Sequence, residues 1–154
     1  MPSKKEVNFY KIPEANFFKV LPKLLESIVT RGNRIVLLAA NDEQISSLDD
    51  LLWVYSQLSF LPHATYKDGL REGNPIYITT SEQDNIIKAN FIAVVAENYI
   101  PSNLNNFEKY LFFYNEQTLN ITKDKIKKIN EMGGVCNFIT QDQKSQWIKS
   151  ESLL

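Results

Sequence analysis

Apolar residues fall into two rhythms along this chain, and the alternation between them predicts the architecture. Positions 7–12 (Val-Asn-Phe-Tyr-Lys-Ile) alternate apolar and polar side chains as a strand does, and Pro13 closes them. Phe17, Leu21, Leu24, Leu25 and Ile28 then recur at three- and four-residue intervals, which predicts a helix ending near Gly32. Pro22 lies inside that pattern, where it removes a backbone donor and crowds the preceding turn, so a kink or a restart is expected near Leu21.

Positions 34–40 form a continuous apolar run of strand length, the pattern of a strand covered by helices on both faces. Asn41 or Asp42 can cap a following helix with Ile45, Leu48, Leu52 and Tyr55 inward. At ~100° per residue Trp53 is turned away from most of that stripe. Positions 59–73 read as a loop, marked by Pro62, Asp68-Gly69 and Gly73. Strands are predicted at 75–78, 91–95, 107–114 and 135–139, and a lysine-rich helix at 122–132 is ended by Gly133-Gly134. The tail after Thr140, with Trp147, has no clear assignment.

The predicted fold class is α/β: a single three-layer domain with a mostly parallel sheet and helices on both faces. The expected domain is 1–154, its core about 7–139, with no repeat or hinge.

Composition narrows the function. Seventeen basic residues nearly cancel eighteen acidic ones, so the whole molecule has no long-range field to hold a phosphate backbone. Nucleic acid is therefore expected to be met only indirectly, and bare single-stranded DNA to bind poorly. A lone Cys136 in an apolar stretch supports neither a disulfide framework nor a cysteine zinc site, and it fits a reducing cytoplasm. No apolar run approaches the ~20 residues of a membrane span, so no membrane partner is expected.

Catalytic chemistry needs convergent reactive groups, and few are present. With one histidine, His63, and one cysteine, a metal site would rest almost wholly on carboxylates. Neither GxGxxG nor GxxxxGK[ST] occurs, and Gly133-Gly134 precedes a strand rather than a helix. Asp49 and Asp50 point ~100° apart on their helix and read as a solvated edge. Catalytic residues, metal and cofactors are all expected to be none.

The most specific stretch is Leu48-Asp49-Asp50-Leu51-Leu52-Trp53, followed by Phe60-Leu61-Pro62-His63 and then Gly73-Asn74-Pro75-Ile76. In that order it resembles the chi subunit family of the bacterial DNA polymerase III holoenzyme, whose pattern is LDxxLW, then F-hydrophobic-PH, then a glycine-containing loop and a proline-led strand. Phe9-Tyr10, Gly32 and the 34–39 strand agree with it, and the resemblance spans roughly residues 7 to 139.

The resemblance implies a non-catalytic clamp-loader protein that binds the acidic C-terminal tail of single-stranded DNA-binding protein and, in some bacteria, docks on the psi subunit. It carries the psi or clamp-loader contact onto Trp53, Phe60, Leu61, Pro62 and His63, where large aromatic side chains suit an interface anchor. The tail pocket would fall on Tyr114, Lys123, Lys127, Lys128 and Met132, because an acidic peptide ending in an aromatic residue needs cations beside an apolar pocket. The family helix carries arginine and an aromatic-lysine pair, whereas lysines alone stand here, so a weaker or differently built site is expected. Two other readings stay open: an α/β enzyme or nucleotide-binding domain with an unrecognised site, and a scaffold that self-associates through its aromatic face.

Overall fold

The computed structural model describes residues 5–56, 61–68 and 72–150. Eight strands form one sheet in the order β3-β4-β2-β5-β6-β1-β7-β8, with β1 at Glu6–Lys11, β2 at Ile35–Leu38, β3 at Ala64–Thr65, β4 at Ile76–Thr79, β5 at Phe91–Val94, β6 at Lys109–Tyr114, β7 at Val135–Gln141 and β8 at Trp147–Ser150. Six of the seven pairings are parallel, and β7 with β8 is antiparallel. The mostly parallel three-layer α/β prediction holds.

All four residues of β2 are buried, as the continuous apolar run requires of a strand paired on both sides and covered on both faces. Helices α1 (Phe17–Thr30) and α2 (Asp42–Ser56) pack on one face through Leu21, Leu25, Ile45, Leu48 and Leu52, against Tyr10, Ile35, Leu37 and Leu111 of the sheet. The other face is covered by α3 (Leu119–Glu131) through Ile129, and by irregular chain carrying Ile87, Ala89, Leu104 and Phe107. On that face Phe112, Phe9 and Phe138 lie side by side across three registered strands, with Phe9 stacked on Phe112 at 5.1 Å and 6.1 Å from Phe138.

Three expectations are revised. Helix α1 runs continuously through Pro22, so of the kink or restart expected there the restart does not occur. Proline forfeits one backbone bond, and Pro22 is buried in line with Leu21, Leu24, Leu25 and Ile28, so packing of the apolar face outweighs the loss. Second, the predicted 59–73 loop contains β3, whose two residues pair with β4 where that strand would otherwise have a bare edge. Third, the unassigned tail returns as β8. Its turn is built by Asp142, whose carboxylate accepts from the backbone amides of Lys144 and Gln146, while Ser145 adopts a φ of 61°.

Candidate docking surfaces

Helix α2 begins with a polar clasp. The Asn41 side chain accepts from the Gln44 amide at 2.8 Å, and Gln44 Oε1 accepts from the Ala40 amide at 2.7 Å. That fixed start orients the far end, where Asp49 and Trp53 lie one turn apart on the same side of the helix. Trp53 remains 60% exposed, with Val54 beside it.

His63, in the chain returning toward β3, reaches back to this pair. Its Nε2 lies 2.9 Å from Asp49 Oδ1, and its imidazole meets the Trp53 indole edge to face at 5.2 Å. Its side chain is only 2% exposed. Ser56 Oγ donates to the Leu61 carbonyl at 3.0 Å, and Leu61 is buried in the α1/α2 core while Pro62 is half-buried. Phe60 lies outside the described residues.

The arrangement corrects the reading of Asp49 as part of a solvated edge, because its carboxylate holds His63 in place. The signal was present in the sequence: Asp49 and Trp53 at i and i+4, followed by a lone histidine. Chemically the corner offers an indole with much of its ring free, a half-buried proline and, among the described residues, no convergent nucleophile.

The α3 region is assembled differently. Lys123, Lys127 and Lys128 are exposed, and Asp124 and Glu131 alternate with them at the spacing of helical neighbours. Lys128 also lies in the last turn, where a cation is favoured by the helix dipole. Met132 is half-buried against the α3-side core, and Tyr114 is buried, with burial pushing its phenol pKa up.

Lys125, on the same helix, is built in differently from these lysines. It is 5% exposed, because the inward face of α3 is Thr122, Lys125 and Ile129, and its Nζ lies 5.6 Å from the Phe112 ring centre. Burial holds its pKa below the usual lysine value, and Glu97 nearby opposes that shift.

A cleft of about 560 Å³ opens at the C-terminal ends of β1, β2, β5 and β6, between chain leaving for opposite faces of the sheet. Tyr114 and Lys125 line it with Phe17, Phe18 and Ile121, but Lys123, Lys127, Lys128 and Met132 do not. The five residues expected to make one pocket therefore divide between a cleft, a core and an open helix face.

Cys136 on β7 is half-buried, near Asn130, with burial pushing its thiol pKa to about 11. Among the described residues no group of three histidine, cysteine or carboxylate side chains stands ready for a metal ion, and no helix is long and apolar enough to cross a membrane.

With the geometry established, comparisons with known proteins identify the lineage. A family model described as DNA polymerase III chi subunit, HolC, matches residues 5–144. A protein of Rickettsia prowazekii (strain Madrid E), named probable DNA polymerase III subunit chi, is 27% identical over 152 residues, covering 94% of this chain and 91% of its own. Among solved structures, the C-terminal part of the Fun30 ATPase domain aligns over 86% of this chain and 48% of its own length, at 13% identity and a TM-score of 0.43. This chain thus spans about half of that structure, and the likeness is too low to bear on function.

Proposed function

Because the chain belongs to the DNA polymerase III chi subunit family, accessory proteins of DNA replication, we propose that it is a non-catalytic adaptor with two protein contacts. One joins psi or an equivalent clamp-loader protein at the α2 corner. The other takes the acidic C-terminal tail of single-stranded DNA-binding protein along α3. Joining the two would gain affinity from tethering as much as from either contact alone.

The observation that carries this reading is Trp53. A large ring 60% exposed on a helix end costs little to bury against a partner, and the His63–Asp49 pair restricts it before any partner arrives. Leu61 and Pro62 continue the same corner, and Phe60 joins it on the family pattern alone. For the tail, the exposed Lys123, Lys127 and Lys128 supply cations, while Tyr114 and Met132 enter through the family resemblance rather than through a shared pocket.

Calorimetric titration with a peptide carrying the acidic C-terminus of the cognate single-stranded DNA-binding protein tests the tail contact. Heat is expected with the native peptide. It should weaken about five- to tenfold with Lys127→Glu and Lys128→Glu combined, and vanish when the peptide lacks its terminal aromatic residue. No heat with the native peptide removes tail binding from the proposal.

A further inference from the structure

The cleft at the C-terminal ends of β1, β2, β5 and β6 lies where an open α/β sheet takes its ligand, because the paired neighbours β1 and β6 send their chain into α1 on one face and α3 on the other. What it can take follows from which of its groups are already bonded. The backbone amides that would face a phosphate in such folds are occupied by the chain itself. Gln44 Oε1 accepts from the Ala40 amide, Asn41 Oδ1 from the Gln44 amide, and Asn115 Oδ1 from the Thr118 amide at 3.1 Å. Ser47 and Thr122 donate their hydroxyls to backbone carbonyls one turn back.

The charged lining is uneven. Glu14, Glu43 and Glu97 are exposed, and among the described residues none of them forms an ion pair. Lys125 is the single cation of the lining among the described residues, and it is buried over the Phe112 ring. Three exposed carboxylates against one sunken ammonium give a chain whose overall charge is only −1 a mouth that repels phosphate and draws cations.

Apolar surface leads out of the same opening. Phe17 meets Phe113 edge to face at 5.3 Å and lies 5.8 Å from Phe18, so three aromatic rings run from the end of β6 to the surface. Phe18 is 58% exposed on α1 and Ile121 is 38% exposed on α3, the helices that cover opposite faces of the sheet. A small ligand held inside the cleft would leave both side chains in water, whereas a length of polypeptide would cover them.

We propose that this cleft docks a segment of a partner protein in which a large apolar side chain stands between lysines or arginines. The apolar side chain packs against Phe17 and Ile121, a backbone carbonyl of the segment accepts from the Lys125 ammonium, and the flanking cations meet Glu14, Glu43 and Glu97. An acidic segment would bring its carboxylates against all three of these and find one buried cation. A nucleotide would meet the same repulsion and find the amides of Ala40, Gln44 and Thr118 already taken. The inference goes beyond the adaptor reading by adding a third contact, separate from the α2 corner and from the exposed lysines of α3.

The test is fluorescence anisotropy of the full chain with a labelled, amidated hexapeptide, lysine-lysine-leucine-phenylalanine-lysine-lysine. Saturable binding is expected, with a Kd below about 100 μM at about 50 mM salt, weakening as salt rises. Glu14→Lys and Glu97→Lys combined should weaken it about tenfold, and Glu14→Gln with Glu97→Gln by a smaller factor. Phe18→Ala should weaken it about fivefold at every salt concentration, since the contact removed carries no charge; circular dichroism confirms that each variant is folded.

No saturable binding, or binding indifferent to the glutamate and Phe18 variants, overturns the proposal. Tighter binding of the same peptide with aspartate in place of each lysine, lost in Lys125→Met, also overturns it and gives the cleft to an acidic segment. Phenethylamine binding as tightly as the hexapeptide would give it to a small ligand instead. Lys127→Glu and Lys128→Glu, outside the cleft, should not weaken the basic peptide, and Glu14→Gln with Glu97→Gln should not weaken the acidic tail, so failure here and failure of tail binding are separately visible.

Discussion

The α2 corner and the α3 face both present large or charged side chains to solvent, yet they are built on opposite plans. At the corner, a helix cap, an i, i+4 pair and a returning loop converge so that Asp49 holds His63 and His63 holds Trp53. On α3, three exposed lysines stand clear of the cleft, and the lysine that does reach it is the buried Lys125. The difference teaches that recognition needs a supported position as well as a suitable residue type. A lysine on an open helix keeps its rotamer freedom and surrenders it only on binding, whereas an indole against a fixed imidazole has given up part of that freedom already.

The largest test of that contrast is Trp53→Ala. It should weaken binding of the clamp-loader partner by about 2 kcal/mol or more, roughly thirtyfold, as read by calorimetry. The urea midpoint of the free protein should move by no more than about 0.5 kcal/mol equivalent, because the ring is mostly exposed. If the chain is instead a stable dimer by light scattering and Trp53→Ala makes it monomeric, the corner is a self-association surface and the adaptor reading fails.

A double-mutant cycle probes the support beneath the ring. Asp49→Ala should cost about 1 to 2 kcal/mol in urea unfolding, since it leaves the buried His63 without its bond, and His63→Ala about 1 kcal/mol, since Asp49 is partly open to water. The double variant should cost less than their sum by at least about 0.5 kcal/mol. Simple additivity would mean that the 2.9 Å contact does not organise the corner.

The smallest effect sharpens the α3 side. Lys125→Met keeps the length of the side chain and removes a buried cation, so stability should rise by about 1 kcal/mol, or roughly 2 to 4 °C by calorimetry. A fall would show that the Phe112 ring and Glu97 more than offset the burial of the charge. Tail-peptide binding that falls in the same variant would put the tail in the cleft that Lys125 shares with Tyr114, and binding that is unchanged would leave it on the exposed lysines.

How much of this was legible depended on the range over which each signal acts. The runs at 34–40 and 91–95 revealed β2 and β5 because strands buried on both faces must be apolar throughout, and the three helices followed from their periodic stripes. Strand β3 was hidden because two residues are too few to show a rhythm, and what specifies it is the neighbouring strand. The 142–150 hairpin was hidden for another reason: β8 contributes only Trp147 to the core, so its remaining residues are free to be polar.

The recognition surfaces divide in the same way. Trp53 could be singled out from helical geometry, and the link from Asp49 to His63 was foreshadowed by spacing although it went unread. The grouping of Tyr114 and Met132 with Lys123, Lys127 and Lys128 rested on the family pattern, and the fold separates them.

One feature of the sheet bears on how the molecule behaves when it is concentrated. Among the described residues its borders are β3, with two residues, and β8, with four, of which Lys149 and Ser150 are polar. So little ladder at either flank gives a second copy almost no template on which to extend the pleat, and it biases this chain toward assemblies of fixed size over growing ribbons.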